Sequence, residues 1–227
     1  MPETKWYKRL IPRYALLSLP LVVSGPLLYA LANALPDVFP RFNIMSAWDY
    51  AIPLRSEWVL VYFGSYLFWV VNAILIAREG KERWFRTLSA VLLSAVIAFF
   101  FFLFFPATMI RPEITGDGVF DHLMRLLYAI DTPTNLLPSL HCSQSWICAI
   151  ALHSAQRVPR WYRVFSYVFA LMVCASTLLV RQHCIADVVV GVAMSQITYM
   201  LFRKGEGYRP LMRLFERLDR AVFKTET

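Results

Sequence analysis

A chain of 227 residues that is 58% hydrophobic and only 17% charged, with a mean hydropathy of +0.50, is too apolar for a water-soluble domain, which runs nearer half apolar and a quarter charged. The net charge is +8, but the cations flank apolar blocks, so nucleic acid is a poor partner for them. The four cysteines, Cys142, Cys148, Cys174 and Cys184, show no CxxC spacing, which argues against a disulfide framework and a zinc site.

A helix needs about 20 apolar residues to cross a bilayer. Six blocks qualify in chain order: roughly Tyr14–Leu35, Glu57–Ala77, Arg86–Ala107, Ser139–Ala155, Val164–Val180 and Ile185–Phe202. The first has a basic lead-in but lacks a small-x-small cleavage site, so it reads as a retained span. The fold class expected is all-α: a polytopic membrane protein of six transmembrane helices. Residues 1–227 form one integral membrane domain, and residues 203–227 form a basic amphipathic cytoplasmic tail. Leu211, Leu214, Phe215, Leu218 and Val222 recur there at helical spacing between arginines. That tail suits a helix lying on the inner leaflet or packed on the spans.

Orientation follows from Lys and Arg. They gather at the amino terminus (Lys5, Lys8, Arg9, Arg13), after span two (Arg78, Lys81, Arg83, Arg86), after span four (Arg157, Arg160, Arg163) and in the tail (Arg203, Lys204, Arg209, Arg213, Arg217, Arg220, Lys224). With six spans these segments share one side, the cytoplasm. The expected location is a plasma membrane of bacterial type with both termini cytoplasmic. Segments 36–56, 108–138 and 181–184 then lie outside. These poorer segments and their edges carry the unusual residues Arg111, His141, Arg181 and His183.

Pro138-Ser139-Leu140-His141 reads as the start of a helix with Ser139 as its N-cap. Outward-pointing amides and the helix dipole make such a start an anion site; an ordinary serine cap is the plainer alternative. His183 and Asp187 are four apart and share a helix face. A carboxylate one turn inside a membrane is costly, and an imidazole N–H relieves it. This pair reads as an oriented nucleophile or base, as a structural pair, or, with less support, as two metal ligands. Arg111 and Arg181 lie just outside their spans on the face that should be poor in arginine. Both suit phosphate, whose oxygens match the planar guanidinium fork; an interfacial anchor is the alternative. His153 belongs near the cytoplasmic end, and His122 lies in a connection of about 30 residues long enough to form a lid or substrate rim. Trp146 and Trp161 read as packing or interfacial residues.

The order Arg111-Pro112, Pro138-Ser139-Leu140-His141, Ser176…His183-x-x-x-Asp187 resembles the type-2 phosphatidic acid phosphatase superfamily, which includes the vanadium haloperoxidases. The resemblance covers about Phe105 to Gly191. It implies a phosphatidic acid phosphatase-like helical bundle with His183 as nucleophile, Asp187 orienting it, His141 protonating the leaving group, and Ser139 and Arg111 binding phosphate. Two positions depart from the pattern: Phe104 stands where the first motif has Lys, and Thr177 where the third has Arg. Arg181 is the replacement expected, as in sequences reading Ser-Thr…basic-Gln-His.

The resemblance therefore implies an enzyme that hydrolyses a lipid phosphate at the non-cytoplasmic face through a phosphohistidine. No metal or other cofactor is expected, and the bilayer and the lipid are the partners. A lipid phosphotransferase like the sphingolipid-synthase relatives, an inactive lipid-binding relative, and a channel or transporter are the alternatives.

Overall fold

The computed structural model describes residues 11–35 and 38–222. The expected cations Lys5, Lys8, Arg9 and Lys224 lie outside that range. The described chain is helical apart from two short strands. In order it forms α1 (Arg13–Val22), α2 (Ser24–Ala34), β1 (Phe42–Asn43), α3 (Ala47–Ala51), α4 (Val59–Glu79), α5 (Lys81–Phe104), β2 (Ala107–Thr108), α6 (Val119–Ile130), α7 (Leu140–Leu152), α8 (Arg160–Leu179), α9 (Ile185–Lys204) and α10 (Arg209–Val222). A single 3-10 turn, Ser56–Trp58, leads into α4. β1 and β2 pair in parallel, Phe42 opposite Ala107.

The first expected span is broken at Val23. Pro26 is the physical reason: it lacks the N–H that would bond the Val22 carbonyl, and its ring crowds that carbonyl. The helix resumes with the Leu27 amide on the Val23 carbonyl at 3.1 Å. Between α4 and α5 one residue, Gly80, turns the chain. Its φ of +134° is open to glycine and strained for other residues.

Five helical segments are long and apolar enough to cross a membrane: 13–34, 56–79, 81–104, 160–179 and 185–204. This is an integral membrane protein. The fourth expected span, 139–155, is the 13-residue α7, about 20 Å at the usual rise per residue, short of a full crossing by length alone. It nevertheless runs from one end of the bundle to the other. Ser139 at its start meets Asp187, and the Ala151 carbonyl near its end accepts from Arg83 at 2.6 Å. Packed against α4, α5, α8 and α9, it buries nine of its residues. Its Ser and Ala positions admit close neighbours, and its polar groups find partners across helices, as bundle interiors in lipid require. Trp69 Nε1 donates to Ser145 Oγ, and Trp146 Nε1 to Gln196 Oε1, both at 2.8 Å.

The cation-rich segments meet at one end. Arg157 donates to the Arg78 carbonyl, Arg83 bonds the Ser154 carbonyl at 2.9 Å, and Lys81 pairs with Glu216 at 2.9 Å. Here α10 lies against α1 and α5. Phe215 is buried, with Leu211 and Met212 packed beside it. Leu214 and Leu218 on the adjoining flank remain exposed, so the helix combines a packed stripe with an exposed apolar flank.

Candidate active site

The residues singled out from the sequence lie at the opposite end, where α7 and α9 begin. Past α8 the chain reverses over residues 180–184. The amides of Gln182 and His183 both bond the Thr177 carbonyl, at 2.9 and 3.1 Å. Arg181 takes a φ of 55°, in the left-handed region uncommon for non-glycine residues. Asp187, in the first turn of α9, is wholly buried. Its Oδ2 accepts the Cys184 amide at 2.9 Å and lies 3.3 Å from His183 Nδ1. That contact directs Nδ1 to the carboxylate and leaves Nε2 as the ring nitrogen that Asp187 does not hold. Burial alone lowers the His183 pKa. The hydrogen bond and negative charge of Asp187 outweigh it and raise the imidazole above its ordinary value.

The two motifs touch through backbone. The Ser139 amide donates to the Asp187 carbonyl at 3.1 Å. This approach needs Gly191, where an added Cβ would stand 2.5 Å from the Ser139 carbonyl oxygen. Ser139 Oγ caps α7 by accepting the Cys142 amide at 3.3 Å. His141, one residue into the helix, brings its ring centroid to 6.2 Å from that of His183. Its Nδ1 lies 3.2 Å from Tyr62 Oη and its Nε2 3.2 Å from Tyr66 Oη. The Trp69 ring stands 5.3 Å away.

Arg111 follows β2 and reaches inward. Its Nη1 donates to the Asp131 carbonyl at 2.6 Å, its Nη2 to Gln182 Oε1, and its guanidinium lies over the Tyr128 ring at 4.7 Å. Burial lowers its pKa, but a guanidinium stays charged. Gln182 is 1% exposed, and its Nε2 has no partner among the described residues.

Arg181 does not take the place expected of it beside the phosphate-binding groups. Its guanidinium is spent on the carbonyls of Asp49, Tyr50 and Ile52. Asp49 answers by accepting the Ile185 amide at 2.7 Å on Oδ1 and the Ser46 amide at 2.8 Å on Oδ2. The pair therefore fastens the His183 loop and the start of α9 to segment 46–52.

Other positions sort themselves simply. Phe104 is exposed at the end of α5. Thr177 is buried, donating to the Cys174 carbonyl at 2.8 Å. His122 stands on α6 beside Arg125, 3.0 Å away, and Arg125 is engaged with the carbonyls of Ile114 and Gly116. His153 lies at the cation-rich end beside Tyr167 and Arg163. No group of three or more His, Cys, Asp or Glu able to hold a metal gathers among the described residues.

Tyr62, Tyr66, Trp69, Asp131, Gln182 and Asp49 were not singled out by the sequence reading. The first three recur at i, i+4, i+7, a visible stripe on one helix face, but no feature of the sequence ties that stripe to His141.

With paired histidines, a buried carboxylate and a capped helix start in one place, comparison with known families is informative. Residues 113–209 match the PAP2 superfamily. No curated protein and no solved structure matches the chain. The PAP2 segment holds Ser139, His141, His183 and Asp187, and starts two residues after Arg111. That match suggests phosphatase or related phosphoryl-transfer chemistry.

Proposed function

We propose that this protein is a membrane-embedded lipid phosphate phosphatase that works through a phosphohistidine at His183. The observation that carries the reading is the pairing of His183, held by buried Asp187, with His141 across a ring-centroid distance of 6.2 Å, at the N-terminus of α7. One imidazole is fixed to attack and the other to exchange a proton.

In this reading His183 Nε2 attacks phosphorus while Asp187 stabilises the imidazolium through Nδ1–H. The P–O bond electrons leave with the alcohol oxygen, which takes a proton from His141. Water then attacks the phosphohistidine, giving its proton to His141, and the P–N electrons return to His183. Arg111, Ser139 and the first amides of α7 hold the phosphoryl oxygens. Gln182 Nε2, a buried donor beside the nucleophile, replaces Arg181 in that set.

A lipid substrate suits a site at one end of a bundle with bilayer-length helices, where a headgroup meets the side chains while tails stay in hydrocarbon. The cations assembled at the other end support placing that end in the cytoplasm and the site outside. If an alcohol replaces water in the second step, the same residues perform headgroup transfer.

The test uses purified protein with a panel of mass-tagged lipid phosphates and pyrophosphates. Free phosphate signals hydrolysis, and a new headgroup lipid signals transfer. Activity should survive excess EDTA and fall with vanadate, which mimics five-coordinate phosphorus. Loss on chelation with recovery on adding a divalent ion would instead make His183 and Asp187 metal ligands. Failure of every lipid to yield either product would contradict the reading.

A further inference from the structure

The site contains a second carboxylate that the steps above leave unused. Asp131 follows α6, and its Oδ2 accepts the hydroxyl of Tyr62 at 2.9 Å. Tyr62 is wholly buried, and the same hydroxyl oxygen lies 3.2 Å from His141 Nδ1. We propose that Asp131 and Tyr62 are positioning residues that form a relay to His141 and fix it as the leaving-group acid. This inference rests on the phosphatase reading.

A phenol has one proton to give. With that proton committed to the Asp131 carboxylate, only lone pairs of Tyr62 face the imidazole. Nδ1 of His141 must then carry a hydrogen, and Nε2 becomes the nitrogen that gives and takes the proton. The Tyr62 ring lies 4.3 Å from the imidazole centroid at 31°, so packing and hydrogen bond hold the same orientation. Nε2 points toward the Tyr66 hydroxyl, and Tyr66 is 45% exposed. A side chain so placed is able to yield to an incoming leaving-group oxygen.

When the P–O bond breaks, its electron pair stays on the alcohol oxygen. That oxygen takes the proton from His141 Nε2, leaving a neutral imidazole still donating Nδ1–H to Tyr62. The negative charge of Asp131, carried through the Tyr62 dipole, stabilises the imidazolium that precedes this transfer. Asp131 also reaches the phosphate side of the site, because its backbone carbonyl accepts from Arg111 Nη1 at 2.6 Å. Its other carboxylate oxygen accepts Tyr29 Oη at 3.3 Å. One residue thus ties the proposed phosphate-binding guanidinium to the leaving-group acid.

A merely structural cluster would not care which alcohol departs, and this separates the two possibilities. Tyr62→Phe and Asp131→Asn are compared with the unaltered protein on dodecyl phosphate, whose alkoxide needs a proton, and on p-nitrophenyl phosphate, whose phenolate does not. Turnover of dodecyl phosphate should fall by about 10–100-fold in each variant, part of the roughly 10²–10⁴ that general acid catalysis supplies. KM should change little, and the first-turnover release of nitrophenolate should change far less than dodecyl phosphate turnover.

Equal losses on both substrates, or unchanged dodecyl phosphate turnover, would overturn the relay. Thermal melting of both variants checks folding, and Asp131→Asn keeps the side-chain shape where Tyr62→Phe leaves Asp131 Oδ2 without the Tyr62 donor. Failure of the underlying reading looks different: the unaltered protein releases no phosphate, or His183→Ala retains activity on either substrate.

Discussion

At the residue scale, the two arginines expected to act alike are predicted to fail differently. Arg111 faces Gln182 and the proposed phosphoryl site, whereas Arg181 holds three backbone carbonyls of segment 49–52. Losing a donor that acts chiefly in the transition state lowers turnover by about 100–1,000-fold, the effect expected for Arg111→Ala. Arg111→Lys should restore only part, because an ammonium lacks the fork. Arg181→Ala removes a charged donor from the carbonyls of Asp49, Tyr50 and Ile52, and a hydrogen bond from a charged group is worth about 1.5–3 kcal/mol, so it should lower the melting temperature, and Asp49→Asn should share that defect. Melting curves beside phosphate-release assays distinguish the two. An Arg181→Ala protein with normal melting and lost turnover would return Arg181 to the phosphoryl site.

The His183 imidazole carries a pH prediction. A nucleophile must be unprotonated, and the Asp187 contact raises the His183 pKa against the opposing effect of burial; Cys142 and Asp131 also push it up. The kcat/KM profile should therefore fall as pH drops through a value above that of an ordinary histidine. Asp187→Asn should move this limb to lower pH while reducing the rate. A limb that stays in place in Asp187→Asn would disconnect it from His183.

At the element scale, the meeting of α7 and α9 decides whether the two motifs align. Gly191 gives the clearest probe. A methyl group there would lie 2.5 Å from the Ser139 carbonyl oxygen, and backbone can move away only by separating Ser139 from Asp187. Overpacking of this kind costs about 1–3 kcal/mol. Gly191→Ala should lower both stability and turnover, while Gly25→Ala, with nothing near its absent Cβ, should change neither appreciably. Equal behaviour of the two variants, read by melting and activity, would count against this account.

Much of the helical organisation was legible because long apolar runs leave few other ways to satisfy a backbone in lipid. The expected blocks 57–77, 86–107, 164–180 and 185–202 correspond to α4, α5, α8 and α9 with ends shifted by a few residues. The block at 139–155 hid a shorter helix, because a segment wrapped by other helices needs neither bilayer length nor a continuous apolar surface. The break at Val23 was foreshadowed by Pro26. The 12-residue α6 inside the connection 108–138 was not anticipated. In the site, Ser139 as a cap and the contact of His183 with Asp187 followed from local spacing. The Tyr62–Asp131 contact and the grip of Arg181 on segment 49–52 span 69 and up to 132 residues, distances at which one sequence carries no pairing signal.

At the scale of the whole molecule, the site and the cation-rich segments occupy opposite ends of the bundle. All four native cysteines are buried, so introduced thiols can report sidedness over a low background. The proposed orientation predicts that a membrane-impermeant thiol reagent labels Thr115→Cys only from outside and Lys204→Cys only from the cytoplasm. Labelling of both from the same side would overturn the proposed orientation. The exposed flank of α10, with Leu214 and Leu218, should then lie against the cytoplasmic leaflet.

The proposed reaction turns on His183 Nε2 as the atom that accepts phosphorus. The most direct measurement is acid-free trapping of the reacting protein with a radiolabelled lipid phosphate, followed by peptide mapping. It should find an acid-labile, alkali-stable phosphoryl group on the peptide containing His183, absent from His183→Ala. His141→Ala should accumulate it with an activated substrate, because water would lack its base. A phosphoryl group on another residue, or steady phosphate release by His183→Ala, would contradict the central claim.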